Sequence, residues 1–242
     1  MNERSTCADL LRSHPYPGRG ILVGKMRDGR AVFAYFIMGR SANSRNRIFR
    51  KEGNDLVIKA YDKSMVEDPS LILYYPVRRM ADRIIISNGD QTDTIRDFLL
   101  QGKSFEDALR TRCFEPDEPH FTPRISALLH KDRSGFSYSL SILKKACGQG
   151  KGCLRQFFDY PGEAGTGHLI HTYRGDTHPL LSFEGEPRTV RLDEDFPAWI
   201  ERLWTALHPD NKISLYAALW DPETDRYIDV IKNKREGERQ AL

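Results

Sequence analysis

The sequence predicts an α+β fold in which two antiparallel sheets stack on each other and helices cover the outside. Three hairpin patterns indicate the strands, because apolar runs flank Asp28-Gly29, Ser134-Gly135 and the segment 222–225. The helical patterns are grouped between these hairpins and near the end of the chain. Such grouping favours separate layers of sheet and helix.

The first hairpin is "ILVGKMRDGRAVFAYFIM". Both alternating sets of positions in "AVFAYFIM" are apolar, so we expect this strand to be covered on both faces. The run "RIIIS" predicts a later strand, and "TIRDFLLQGKSFEDALRTR" predicts two short helices separated by Gly102. Ser104 and Asp107 have the spacing of a capping box at the start of the second helix.

The second hairpin is "RISALLHKDRSGFSYSLSIL", in which Phe136, Tyr138 and Leu140 share one face and serines occupy the other. Further on, "HLIHTY" and "RTVRL" predict strands, and "FPAWIERLWTALH" predicts an amphipathic helix. The third hairpin is "KISLYAALWDPETDRYIDVIK". We interpret residues 17–232 as a single domain, 1–16 as a polar N-terminal extension and 233–242 as a polar tail.

Composition limits the classes of partner. With 37 basic and 34 acidic residues the net charge is only +3, so we expect no nucleic acid partner. No apolar run has the length of a membrane span and no signal-like core begins the chain, which predicts a cytoplasmic protein without membrane contact. The four cysteines lack C-x-x-C spacing, and His168 and His171 should lie on opposite faces of a strand, so no metal site is expected.

The stretch "MGRSANSRNR" follows the apolar strand and is rich in cations and small polar side chains. Guanidiniums surrounded by hydroxyl and amide groups suit the capture of a phosphate. The alternative is a solvated basic loop at the end of a strand, and this segment alone leaves both open. The side chains concerned are Arg40, Ser41, Asn43, Ser44, Arg45, Asn46 and Arg47.

Two other segments contain candidate site residues. "SNGDQTDT" joins a predicted strand to a predicted helix, where its backbone N–H groups and threonines can bind a ligand or simply cap the helix. "EPDEPHFTPRI" places Glu115, Asp117 and Glu118 ahead of Arg124, a pattern that suits acid-base chemistry but is also typical of an acidic loop.

Together "YPGRGILVG", "MGRSANSRNR", "SNGDQTDTI", "TPRI" and "GHLIHTYRGD" resemble the archaeal-type inosine monophosphate (IMP) cyclohydrolase family over about residues 17–232. The resemblance implies the αββα architecture of N-terminal-nucleophile hydrolases, used without a terminal nucleophile. It also implies closure of 5-formamidoimidazole-4-carboxamide ribotide to IMP with loss of water, the last step of purine biosynthesis. The expected partners are this purine ribonucleotide substrate and its product, no metal or redox cofactor is required, and a homo-oligomer is one alternative for the assembly.

By the same resemblance, residues transfer motif by motif. The catalytic candidates are Tyr74, Tyr75, Glu118 and Arg45, of which the two tyrosines are alternatives for one role. The substrate-binding candidates are Arg40, Ser41, Arg45, Arg47, Asn88, Gly89, Thr92, Asp93, Thr122 and Arg124. Two rival functions stay open: an amide hydrolase on the same fold, and a non-catalytic protein that binds purine ribotides.

Overall fold

A computed structural model describes residues 5–65, 74–133, 135–146, 152–192 and 195–236. The strands in these ranges are β1 (Arg19–Lys25), β2 (Ala31–Met38), β3 (Arg47–Glu52), β4 (Asp55–Ala60), β5 (Val77–Arg79), β6 (Arg83–Ser87), β7 (Arg124–Asp132), β8 (Gly135–Lys145), β9 (Cys153–Pro161), β10 (Thr166–His171), β11 (Arg188–Arg191), β12 (Lys212–Trp220) and β13 (Tyr227–Asn233). They pair antiparallel in two sheets. The first has the order β11-β10-β1-β2-β12-β13, and the second runs from β3 to β9 in chain order.

The helices in the described ranges are α1 (Cys7–Arg12), α2 (Ala42–Arg45), α3 (Gln91–Leu100), α4 (Phe105–Arg110) and α5 (Phe196–Ala206), with a 3₁₀ turn at Lys63–Met65. α1 and α5 cover the outer face of the first sheet, and α3 and α4 cover that of the second. The predicted α+β sandwich is therefore confirmed, with layers in the order helix, sheet, sheet, helix. None of these helices is both long and apolar enough to cross a membrane.

Strand β2 explains why this layering is stable. All eight of its residues are buried, as the apolar pattern on both faces predicts. Phe33 and Tyr35 point into the core between the two sheets, whereas Val32 and Phe36 pack under α1 and α5. Because neighbouring side chains of a strand point to opposite faces, β2 contributes to two hydrophobic layers at once.

The three predicted hairpins are present as β1–β2, β7–β8 and β12–β13, although Ser134 lies outside the described residues. The two predicted helices are α3 and α4, and Ser104 and Asp107 form the expected capping box. The sequence analysis did not predict the β3–β4 hairpin, the edge strand β9 or α1. β9 has no fully buried residue to produce a clear pattern, and it is held by its pairing with β8.

The N-terminal residues that were expected to form a polar extension contact the fold. Thr6 and Asp9 cap α1 reciprocally, and Cys7 and Leu11 are buried in the cluster that includes α5. Six residues are too few for a helical period to be recognisable in the sequence. Their apolar side chains nonetheless extend the outer core of the first sheet.

Asn233, the last residue of β13, joins the two sheets. Its Oδ1 accepts hydrogen bonds from Phe49 N at 2.9 Å and from Ser214 Oγ at 2.6 Å, and its Nδ2 donates to Phe49 O at 3.1 Å. Phe49 belongs to β3, the edge strand of the other sheet. The amide side chain therefore satisfies backbone groups that have no neighbouring strand.

We predict that Asn233→Ala lowers the free energy of unfolding by about 2 to 4 kcal/mol, because it leaves the buried N–H and C=O of Phe49 without partners. Asn54→Ala is the matched control, since Asn54 is exposed in the turn between β3 and β4. Urea denaturation of both variants measures the difference. Equal unfolding midpoints for the two variants would show that the hydrogen bonds between Asn233 and Phe49 do not stabilise the fold.

Candidate active site

A cleft of about 330 Å³ opens where β1 and β3 begin, between α2 and the loop that leads from α4 to β7. We call it the central cleft. All of its lining residues except Pro116 have polar or charged side chains, and they come from segments far apart in the sequence. The lining residues are Arg19, Ser41, Asn43, Ser44, Arg47, Glu115, Pro116 and Asp117.

Two guanidiniums dominate the central cleft, of which that of Arg47 is buried and that of Arg19 is half-buried. Arg47 is 4% exposed, and its Nε donates to Ser44 O at 2.8 Å. Burial lowers the pKa of Arg47, and the neighbouring charge of Arg19 lowers it further. The buried Nε of Arg19 has no hydrogen-bond partner among the described residues. Two like charges held together with an unused donor favour the binding of an anion.

Burial acts to lower the pKa of Arg19. The charge of Glu115, with contributions from nearby tyrosines, acts in the opposite direction and outweighs burial, so the pKa of Arg19 lies above its usual value. Glu115 is positioned by its backbone N–H, which donates to Thr122 O at 2.9 Å. Burial raises the pKa of Glu115, while Arg19 and Arg124 oppose that increase. A carboxyl group with a raised pKa is suited to hold and donate a proton.

A buried pair of tyrosines lies close to these charges. The hydroxyls of Tyr35 and Tyr74 are 2.9 Å apart. Burial raises the pKa of both, and the charges of Arg19 and Arg47 act in the opposite direction. Both hydroxyls therefore stay neutral, and a neutral hydroxyl can donate and accept a hydrogen bond at the same time.

A second pair of hydroxyl groups lies at the end of the segment from Glu115 to Thr122, which we call the acidic loop. Thr122 Oγ1 lies 2.6 Å from Tyr173 OH and also donates to Asp117 Oδ2. The backbone N–H of Thr122 donates to Asp117 Oδ1 at 2.6 Å. These bonds hold the loop from Glu115 to Thr122 closed over one side of the cleft.

Behind that loop, Arg124 Nη1 donates to Asp90 Oδ1 at 2.7 Å and to Gln91 Oε1 at 2.6 Å. A Cβ at Gly89 would lie 2.4 Å from the same nitrogen, so a side chain there would displace the guanidinium. The glycine at this position thus leaves room for the hydrogen bonds that Arg124 donates to Asp90 and Gln91.

Several of the residues predicted from the sequence lie at the central cleft or directly behind it. Ser41 and Arg47 line it, and Tyr74 is buried close to the charges of Arg19 and Arg47 without lining it. Thr122 and Arg124 adjoin its acidic loop.

Asn88 and Thr92 are buried in supporting positions. Asn88 Oδ1 accepts from Ile125 N at 2.8 Å, and Thr92 Oγ1 donates to Gly89 O at 2.9 Å. These bonds fix the start of α3 and of β7 relative to each other. In this structure both side chains therefore form hydrogen bonds with other groups of the protein.

Two arginines of "MGRSANSRNR" lie elsewhere. Arg40 stacks over Tyr16, with its Cζ 4.8 Å from the ring centroid, and pairs with Asp176. The Nε of Arg45 donates to Gly39 O at 3.1 Å, and its side chain lines a different pocket. Neither belongs to the lining of the central cleft.

Three further predicted residues also lie outside the cleft. Tyr75 OH donates to Glu52 Oε2 at 3.0 Å on the exposed side of the second sheet, and Asp93 pairs with Arg78 beside α3. Glu118 is exposed and does not line the cleft. Spacing in the sequence separates neither Tyr74 from Tyr75 nor Glu115 from Glu118.

The sequence analysis missed Arg19, Tyr35 and Tyr173 as site residues. Arg19 stands between two glycines in "YPGRG", directly before an apolar strand, and that isolated charge was an available signal. Tyr35 and Tyr173 lie in segments that look like ordinary strand, so only the fold brings them to this place.

The two histidines of "GHLIHTY" contact opposite sides of β10, as predicted. His168 Nδ1 lies 2.7 Å from Tyr138 OH of the other sheet. His171 Nδ1 lies 2.9 Å from Tyr173 O, and burial lowers the pKa of His171 to about 3. His171 is therefore neutral at physiological pH and supports the backbone of Tyr173.

Comparison with known proteins identifies the family. The sequence profile of a family described as "IMP cyclohydrolase-like protein" matches residues 16–225. A protein of Methanopyrus kandleri named IMP cyclohydrolase is 34% identical over 116 residues, which are 47% of this chain and 58% of that protein. Proteins with the same name from Methanococcus maripaludis and Methanocaldococcus jannaschii are 30% and 29% identical, over 51% and 57% of this chain and 62% and 70% of their own lengths. This chain belongs to the IMP cyclohydrolase-like family.

Proposed function

We propose that this protein closes 5-formamidoimidazole-4-carboxamide ribotide to IMP with loss of water. The observation that supports this most is the pair of guanidiniums, buried Arg47 and half-buried Arg19, beside the half-buried carboxyl group of Glu115. Relatives with the name IMP cyclohydrolase support the same activity, although the matched parts span only 58% and 62% of two of them.

In this proposal the 5'-phosphate of the nucleotide binds between Arg47 and α2. Ser41, Asn43 and Ser44 supply hydroxyl and amide donors on the same side of the cleft. Charge-assisted hydrogen bonds to a dianion are the strong kind, and the two adjacent guanidiniums lose their mutual repulsion when the anion enters.

The reaction is intramolecular, because the carboxamide nitrogen attacks a formyl carbon of the same molecule. One amide proton passes to the formyl oxygen, and the resulting hydroxyl then leaves as water with the proton of the former formamide nitrogen. Holding the two groups in contact accounts for much of the rate acceleration, since the effective molarity of a well-oriented intramolecular reaction can reach about 10⁵ M or more.

The charged groups of the central cleft match the remaining steps. Arg19, with its unused Nε, stabilises the negative charge that develops on the formyl oxygen. Glu115 donates a proton to the departing hydroxyl, and Tyr74 with Tyr35 passes protons between the reacting atoms. Glu115 takes the role that the sequence comparison assigned to Glu118, since Glu118 is exposed outside the cleft.

An amide hydrolase would need an activated nucleophile, and the structure does not favour Cys7 for that role. Cys7 is 2% exposed under α5, and burial raises the pKa of its thiol. The thiolate, which is the reactive form, is therefore suppressed. A non-catalytic binding protein remains as a rival, and the second prediction below separates it from an enzyme.

We predict that Arg47→Ala raises KM for the formamido ribotide roughly 10- to 150-fold, the equivalent of losing about 1.5 to 3 kcal/mol of charge-assisted bonding. A spectrophotometric assay of ring closure measures this. Arg45→Ala is the matched control and keeps the KM of the wild type, because Arg45 lines a different pocket. If Arg45→Ala has the large effect and Arg47→Ala has none, the phosphate does not bind as proposed. No turnover by the wild type would refute the enzyme proposal.

We predict that Glu115→Gln and Tyr74→Phe each lower kcat by about 10² to 10⁴ while the affinity for IMP stays near that of the wild type. Glu118→Gln and Tyr75→Phe are the matched controls and keep full kcat. Separate measurement of turnover and of IMP binding decides the result. A loss of kcat in the two controls instead would return the assignment to Glu118 and Tyr75.

We also predict that kcat in the same assay decreases as the pH is raised. Glu115 acts in its protonated form, so kcat of the wild type falls as pH rises through the pKa of this group, which burial holds above its ordinary value. Glu115→Gln lacks an ionisable group here, and its residual activity should not show that decline. An unchanged pH profile in Glu115→Gln would remove Glu115 from the proton transfer.

A further inference from the structure

A second pocket lies on the other side of α2 from the central cleft. It has a volume of about 170 Å³, and we call it the basic pocket. Its lining residues are Arg45, Asp210, Lys212, Ile213, Lys234 and Arg235, none of which lines the central cleft. The guanidinium of Arg45, which the resemblance assigned to the substrate, is thus left without a role in the proposed reaction.

Neutral groups hold two of these cations in place. Arg45 donates from Nε to Gly39 O at 3.1 Å and from Nη2 to Asn211 Oδ1 at 3.3 Å. Lys212 Nζ donates to Trp204 O at 3.1 Å and lies 4.4 Å from the centroid of the Trp204 ring. Carbonyl, amide and ring contacts orient a cation without cancelling its charge.

The charge of the pocket is strongly unbalanced. Four of its lining residues are cations and one, Asp210, is a carboxylate. Burial lowers the pKa of Lys212, and the positive charges of Lys234 and Lys232 lower it further. By contrast Lys232, which does not line the pocket, pairs with Glu201 at 2.6 Å.

The size of the pocket restricts its ligand. Pockets that enclose a drug-sized molecule usually measure about 300 to 1,000 Å³, so 170 Å³ is too small for a whole nucleotide. A compact anion with several charges satisfies both the volume and the excess of cations. Phosphate groups suit this lining, because arginine binds them through bidentate hydrogen bonds and lysine as a compact positive charge.

We propose that the basic pocket binds the phosphate groups of a compact polyphosphate, of the pyrophosphate class, independently of the ligand in the central cleft. Arg45 and Lys212 orient the anion from one side, and Lys234 and Arg235 contribute charge from the segment after β13.

Isothermal titration of the intact protein with inorganic pyrophosphate at low ionic strength tests this proposal. With the central cleft saturated by IMP, we expect one pyrophosphate site per chain, an affinity that falls steeply with added sodium chloride, and weaker binding of orthophosphate. Without IMP this site should keep the same affinity. The absence of pyrophosphate binding to the IMP-saturated protein would overturn the proposal.

Variants locate the site. Lys234→Gln and Arg45→Gln should each weaken pyrophosphate binding roughly 3- to 10-fold, whereas the control Lys103→Gln, an exposed position between α3 and α4, should bind like the wild type. Equal losses in Lys234→Gln and Lys103→Gln would mean that the anion is attracted only by general surface charge, and would refute the pocket. Because this readout is binding of pyrophosphate, it is valid whether or not the protein catalyses ring closure.

Discussion

Two neighbouring guanidiniums are the constraint around which this end of the sandwich is arranged. Arg47 is buried and Arg19 is half-buried, and their positive charges repel each other, a combination that proteins avoid unless nearby groups compensate. Here the carboxyl group of Glu115 is the main compensating charge, and Asp117 lines the same cleft. Burial raises the pKa of Glu115, and Asp117 already accepts two hydrogen bonds from Thr122, so the compensation is incomplete. This is the physical basis for proposing that the cleft binds an anion.

The layers of the fold follow from the sequence because hydrophobic burial produces a repeating pattern. Strand β2 is apolar on both faces and was predicted as buried on both, and the hairpin turns have their usual residues. Elements held mainly by pairing or by caps have no such pattern. The edge strand β9 has no fully buried residue, and α1 has a single turn of contact, so neither was predictable from periodicity.

The site was less predictable than the fold, because it depends on the direction in which each side chain points and not only on the residue type. Tyr74 and Tyr75 are adjacent and chemically identical, yet neighbouring side chains in extended backbone point to opposite sides, so one reaches Tyr35 and the other Glu52. The acidic loop presents the same difficulty, as Glu115 is half-buried near Arg19 while Glu118, three residues later, is exposed. Motifs indicated segments that adjoin the cleft, but only the backbone path shows which of their residues lie there.

The short helix α2 explains why one segment contains more arginine than one phosphate requires. Ser41 caps it by accepting from Ser44 N at 3.1 Å, and a Cβ at Gly39 would lie 2.2 Å from Ser44 Oγ, so the helix packs closely against the end of β2. The turn directs Ser41 and Ser44 to the central cleft and Arg45 to the basic pocket. The chain then enters β3, which carries Arg47 back to the cleft. Arg45 and Arg47 therefore contribute to different pockets beside one short helix, and this separation is the physical basis for proposing two anion sites where the sequence suggested one.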